Sequence, residues 1–138
     1  MRAWSIRCAA LGLLPLLFAC SGANNQISKT DVQLAAGDIR TFAYSAELLL
    51  EECSAGNATS TFCEEQSDFL SDKVADSIKD LDGSSPEAES ERRTLADATT
   101  NLREIITRQQ QKETHPTDAA NAGRIGAVSK TIEESLRK

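Results

Sequence analysis

The sequence predicts an all-α fold, a small antiparallel bundle of four helices that follows a cleaved signal peptide. Apolar residues recur at steps of three and four through four successive segments, the period of a helix buried on one side. Capping residues, glycine or proline bound these segments, and none shows the alternation typical of a half-buried strand. Short connections favour an up-down-up-down bundle, with two long, less regularly packed hairpins as the alternative.

The first helix is predicted over residues 28–55. Ser28 or Thr30 can cap its start, and Gly56 with Asn57 can end it. Its apolar stripe consists of Val32, Ala35, Ile39, Phe42, Ala46, Leu49 and Cys53. This heptad-like stripe is the strongest periodic pattern in the chain.

The second helix is predicted from Thr59 or Ser60 to Leu81, and Asp82 with Gly83 ends it. The residues expected to share its buried face are Cys63, Leu70, Val74, Ile78 and Leu81, with Phe62 and Phe69 beside them. The first two helices then form a hairpin.

The third helix is predicted to begin within residues 84–87, where serine, proline and an acid suit a helix start. Its stripe consists of Ala88, Leu95, Ala98, Leu102, Ile105 and Ile106. The polar residues 108–113 are expected to fray or to project into solvent. His115 and Pro116 then break the helix.

The fourth helix is predicted from Thr117 or Asp118 to the C-terminus. Its stripe consists of Ala122, Ile125, Val128, Ile132 and Leu136. Gly123 and Gly126 weaken the first half of this prediction, because glycine disfavours a helix interior.

Residues 1–19 have the features of a secretory signal peptide. Arg2 and Arg7 give a basic start, and residues 8–18 are apolar and uncharged. This run is shorter than the roughly 20 residues that cross a bilayer as a helix, so it predicts a cleaved segment.

Residues 17–20 read Leu-Phe-Ala-Cys and resemble the bacterial lipoprotein box. The resemblance implies that Cys20 carries acyl chains such as palmitate, becomes the mature N-terminus and anchors the protein to a membrane. Ser21 follows in place of aspartate, which implies an outer-membrane lipoprotein facing the periplasm. Residues 20–27 are then the lipidated cysteine with a short tether, and residues 28–138 the helical domain. The alternative is an ordinary secreted protein with Cys20 free or paired.

Four cysteines are present. Cys8 leaves with the signal peptide and Cys20 takes lipid, so Cys53 and Cys63 remain as an even pair in an oxidising compartment. We expect a disulfide between them, where it would link the last turn of the first helix to the first turn of the second.

The residues offer little chemistry. The chain after Cys20 has 21 acids and 13 bases, a balance that argues against nucleic acid or anionic lipid as the main partner, since both bind basic patches. His115 is the single histidine and is expected in an exposed loop. Asp80, Asp82 and Glu89 have part of the spacing of a calcium-binding loop, but Ile78 stands at its first ligand position. We therefore expect no catalytic residues, no metal and no cofactor.

The favoured function is a non-catalytic adaptor, anchored through Cys20, that binds an envelope protein partner in a groove between helices. Size, anchor and one disulfide resemble the small helical pilotins of type II secretion, which bind a helical segment of the secretin; this is an analogy of architecture alone. The alternatives are a structural or stress-related lipoprotein without a dedicated partner and a carrier of a small apolar ligand.

Overall fold

The computed structural model describes residues 25–138 and confirms the all-α bundle. The four helices are α1 (Lys29–Ser54), α2 (Ser60–Asp80), α3 (Glu89–Gln110) and α4 (Asp118–Leu136). Within these residues the one β feature is an isolated bridge between Gln26 and Ser84. None of the helices in residues 25–138 combines the length and the apolar character needed to cross a bilayer.

The helices run antiparallel to their neighbours in sequence, and α1 lies at the centre. It packs most extensively against α4 and also packs against α2 on another side. Helix α3 closes the bundle against α2, α4 and α1, whereas the backbones of α2 and α4 do not come close to one another. This central position explains why α1 is buried on more than the single predicted stripe.

The predicted starts of α1 and α2 are confirmed. Ser28 and Asp31 form a reciprocal capping box, in which each side chain accepts the other residue's backbone N–H. Thr59 caps α2 by accepting the N–H of Phe62. A disulfide joins Cys53 to Cys63 between the two helices, with a Cα–Cα distance of 6.1 Å.

The predicted start of α3 is wrong by several residues. Ser84 forms the isolated bridge, residues 86–88 form a turn, and regular helix begins at Glu89 without a side-chain cap at Ala88. The reason is that Glu89 itself accepts the N–H of Ser85 at 2.9 Å, so the acid reaches back over the turn that precedes the helix.

The α1–α4 contact depends on small residues of α4. A Cβ added at Gly126 would lie 2.8 Å from the Tyr44 ring, and one at Gly123 would lie 2.6 Å from the carboxyl carbon of Glu47. The two glycines, expected to weaken the helix, are therefore the positions at which α1 approaches most closely. Val128, predicted in the buried stripe, is 41% exposed, and Ser129 is buried in its place.

The prediction that residues 108–113 fray or project into solvent is confirmed for residues 111–113, which follow the helix and are exposed, and is wrong for residues 108–110, which are helical and partly buried. Helix α3 continues to Gln110, whose side-chain amide donates to Asp68 of α2 at 2.7 Å. Arg108 pairs with Asp118 of α4 at 2.7 Å, and Lys112 pairs with Glu64 of α2 at 3.3 Å. This polar segment connects three helices at the disulfide end of the bundle.

The predicted tether, residues 20–27, is too long at its C-terminal end. Ile27 is 7% exposed and belongs to the core, and its N–H donates to Ser84 at 2.9 Å. The domain therefore includes residues 25–27. The signal peptide and Cys20 lie outside the described residues, so their predicted roles remain predictions.

Candidate functional site

A groove with a mainly apolar lining lies between α1 and α2. It has a volume of about 510 Å³ and is open to solvent. Its lining consists of Thr41, Phe42, Ser45, Leu48, Leu49 and Glu52 from α1 and Phe62, Gln66, Phe69 and Leu70 from α2. We call this lining the α1–α2 groove.

Three large apolar side chains of the groove are exposed. Leu48 is 60% exposed, Phe62 48% and Phe69 53%. Phe62 and Phe69 are seven residues apart, so they lie on one side of α2, two turns from each other. Single exposed apolar residues are normal on a protein surface, whereas several gathered in one depression are typical of an interaction site.

The buried face of α2 does not include the two phenylalanines. It consists of Cys63, Ser67, Leu70, Val74 and Ser77. The hydroxyls of Ser67 and Ser77 donate to carbonyl oxygens one turn earlier, which satisfies them without another partner. Phe62 and Phe69 lie outside this face and line the groove together with residues of α1.

Carboxylates flank the apolar floor. Glu52 lines the groove. Glu65 and Asp72 are exposed and lie three residues after Phe62 and Phe69 respectively, which makes each a neighbour of one ring on the surface of α2. The ammonium group of Lys73 lies 5.6 Å from the centre of the Phe69 ring.

An ion pair with a buried carboxylate lies outside the groove and connects α3 to α4. Arg108 donates to both carboxylate oxygens of Asp118, at 2.7 and 3.2 Å, and the N–H of His115 donates at 2.9 Å. The hydrogen bonds from Arg108, with that of His115, hold the pKa of the Asp118 carboxyl below its usual value. The side chain of Asp118 is 2% exposed, so this pair stabilises the α3–α4 connection from a buried position.

A second cluster surrounds Glu89. Arg92 and Arg93 both donate to its carboxylate at 2.8 to 3.0 Å. These hydrogen bonds, of which that from Arg92 has the largest effect, hold the pKa of the Glu89 carboxyl far below its usual value. Arg92 also donates to the carbonyl of Leu81 at 2.8 Å and so ties the start of α3 to the end of α2.

These contacts account for the residues that suggested metal or acid–base chemistry. Glu89 is engaged by two arginines, and the calcium-like spacing with Asp80 and Asp82 does not produce a ligand cluster. Across residues 25–138, no three side chains of the metal-binding types come together. The side chain of His115 is exposed, as expected for a loop histidine.

Sequence reasoning named half of the groove residues, all of them as members of buried faces or as neighbours of such a face. Phe62 and Phe69 were expected beside the buried face of α2, and the structure places them at the surface. Leu48 lies outside the predicted stripe of α1. The sequence holds one indication that Leu48 belongs to the groove side of α1. Leu48 directly precedes Leu49 of the stripe and lies two helical turns after Thr41, which also lines the groove.

Comparisons of the chain with protein-family models, with curated proteins and with solved structures find no match.

Proposed function

We propose that the protein is a lipid-anchored lipoprotein of the cell envelope that acts as a non-catalytic adaptor and holds a helical segment of a partner protein in the α1–α2 groove. The observation that carries the proposal is the exposure of Leu48, Phe62 and Phe69 around one depression. Burying these side chains against a partner would contribute about 25 cal/mol for each Å² of apolar surface removed from water.

The dimensions of the groove favour a helix as its occupant. From Thr41 to Glu52 the α1 wall is about 16 Å long, which matches about three turns of a partner helix. Such a helix would present apolar side chains at i, i+3 or i+4, and i+7, the mode by which amphipathic helices occupy apolar grooves.

The acids at the groove edge favour a partner with basic residues beside its apolar face. Glu52 lines the groove, Glu65 and Asp72 are exposed one turn from its two rings, and the chain after Cys20 carries a side-chain charge of −8. Opposite charges across an interface raise the rate of association and disfavour acidic competitors. Lys73 lies over the Phe69 ring and so provides a local exception.

The anchor part of the proposal depends on Cys20 and places the domain at the outer membrane, facing the periplasm. We expect Cys20→Ala to leave the precursor uncleaved or the protein free of the membrane. Fractionation of cells that produce the variant measures this. Normal membrane fractionation of Cys20→Ala would contradict lipidation at this residue.

The groove part is tested with a matched pair of variants. Leu48→Ala with Phe69→Ala removes two exposed side chains of the groove, whereas Val128→Ala removes one of similar exposure from α4. In crosslinked cells, we expect one envelope protein to co-purify with the wild type and with Val128→Ala. The groove variant should lower its yield at least about tenfold, since exposed apolar anchors dominate such interfaces.

Two outcomes of this experiment would contradict the proposal. Equal yield from all three proteins would place the contact elsewhere. A reproducible absence of any partner would favour a structural lipoprotein. A carrier of a small apolar ligand is less well supported, because the 510 Å³ of the groove is open to solvent, whereas ligand pockets enclose most of the ligand surface.

A further inference from the structure

The N-terminal residues of the domain are fixed to one end of the bundle. Ser84 donates its N–H to the carbonyl of Asn25 at 3.0 Å, and Ile27 donates its N–H to the carbonyl of Ser84 at 2.9 Å. The side-chain amide of Asn25 donates to the backbone carbonyl of Asp82 at 2.7 Å. Gly83 makes this contact possible, because its φ is +144° and a Cβ there would collide with the Asn25 carbonyl.

The loop that receives this segment is itself held in place. Ser85 is bonded to Glu89 through its N–H, and Arg92 is bonded to the carbonyl of Leu81. The attachment point of the chain is therefore a defined position of the bundle, at the end formed by the α2–α3 loop and the start of α1. The end of α4 lies on this side too, since Glu133 pairs with Arg40 of α1 at 2.6 Å, near the first half of α1.

Little chain separates this attachment point from Cys20. Asn25 is five residues after Cys20, and an extended chain advances at most about 3.3–3.6 Å per residue. The lipidated residue therefore lies within about 17 Å of Asn25. This limit is less than half of the length of α1, which has 26 residues and spans about 39 Å.

We propose that the bundle stands on the membrane with the α2–α3 loop and the end of α4 toward the lipid, and with the disulfide end away from it. The inference rests on the proposed lipid anchor at Cys20. Leu48 is 19 residues along α1 from Lys29, so the upper part of the α1–α2 groove lies about 28 Å from the membrane-facing end. The partner segment that occupies the groove is then part of a soluble domain, clear of the bilayer.

Exposed charges of both signs occur at the two ends of the bundle, so the orientation rests on the short chain between Cys20 and Asn25 and not on charge. Acids beside the exposed rings disfavour the alternative in which the groove lies flat on an anionic bilayer, because both surfaces are negative.

A single tryptophan reports the orientation. The only tryptophan of the chain is Trp4, so the protein that begins at Cys20 has none. Glu87→Trp places one at an exposed position of the α2–α3 loop, and Asn57→Trp places one at an exposed position beside the disulfide. Each lipidated variant is reconstituted into phosphatidylcholine vesicles that contain a phospholipid with a spin label on its headgroup, a quencher of nearby tryptophan.

We expect the emission of Glu87→Trp to be quenched and that of Asn57→Trp to match the level in vesicles without spin label. A flexible Gly/Ser insertion of about 20 residues after Ser21 serves as the control, since it lets the domain move away from the surface. The insertion should relieve most of the quenching of Glu87→Trp. If the emission of Glu87→Trp stays quenched after the insertion, the tryptophan itself enters the lipid, and the proposal is contradicted.

Flotation of the vesicles separates the two ways in which the proposal fails. If the protein does not float with the vesicles, or if Cys20→Ala floats equally well, the anchor fails and the orientation fails with it. If the lipidated protein floats and Asn57→Trp is quenched as strongly as Glu87→Trp, the anchor stands and the upright orientation is overturned.

Discussion

Helix α1 is packed in two different ways on two of its sides. Toward α4 the contact is close, since Gly123 and Gly126 leave no room for a side chain beneath Glu47 and Tyr44. Toward α2 the contact widens into the α1–α2 groove, where large side chains remain exposed. The comparison teaches that one helix serves as scaffold on one side and as candidate binding surface on the other.

The difference follows from residue size. Small residues let two helix axes approach, and the resulting contact excludes water and partners alike. On the α1–α2 side Phe62 and Phe69 remain exposed along the groove, and the disulfide between Cys53 and Cys63 holds the two helices together at one end. Added side-chain volume between α1 and α4 should therefore destabilise the fold. Removal of an exposed side chain between α1 and α2 should change its stability little.

The largest expected effect is on the α1–α2 side and comes from removal of the disulfide. The double variant Cys53→Ser with Cys63→Ser should lose about 2–3 kcal/mol of unfolding free energy, because the unfolded chain is no longer constrained by the loop of ten residues. Chemical denaturation under non-reducing conditions measures it. Reduced wild type should match the variant, and an unchanged wild-type melting temperature on reduction would contradict a stabilising disulfide.

A larger side chain on α4 tests the close contact between α1 and α4. Gly126→Leu should lower the unfolding free energy by about 1–3 kcal/mol, because its side chain must displace the Tyr44 ring. Ala127→Leu is the matched control, since this neighbouring position is exposed. Equal stability of the two variants in thermal denaturation would show that the α1–α4 contact is not close.

The buried ion pair that joins α3 to α4 gives a pH dependence. Because the pKa of Asp118 is lowered, its stabilising contribution is complete above the unfolded-state value of about 4 and disappears as the pH falls through that value toward the folded one. Asp118→Asn should therefore be less stable than wild type by about 2 kcal/mol at pH 7. This difference in stability between Asp118→Asn and the wild type should disappear below about pH 4, as measured by melting curves. A gap that is constant from pH 7 to pH 3 would exclude the carboxylate charge as its cause.

The smallest expected effect on stability is in the groove. Phe69→Ala should change the unfolding free energy by less than about 1 kcal/mol, because the ring is 53% exposed and is not part of the core. A loss of 3 kcal/mol or more in denaturation would indicate a structural role for the ring and would weaken its assignment to a binding surface.

The sequence was sufficient for the helices and for the cysteine pair. Periodicity placed four helices, and caps at Ser28 and Thr59 placed two of their starts. What periodicity could not supply is the number of neighbours of a helix. Ala36, Ala43 and Leu50 are buried on a second side of α1 because α4 packs there, and nothing local in α1 indicates which helix covers which side.

The candidate site was less predictable for the same reason. Whether Phe62 and Phe69 are buried depends on whether another helix reaches them, and α4 does not approach α2. The residues 108–113 were expected in solvent because they are polar. Their partners Asp68, Asp118 and Glu64 lie on other helices, so the local sequence does not reveal these contacts. Tertiary contacts of this kind override local preference.

The central claim is that the protein meets its partner through the α1–α2 groove and not through the α4 side. Site-specific photocrosslinking in cells tests it most directly, with the photoreactive amino acid at Gln66 in the groove or at exposed Lys130 on α4. We predict one dominant adduct from position 66 and none from position 130. The crosslinked peptide should be a helical segment with basic residues beside an apolar face. An adduct from position 130 alone would contradict the account.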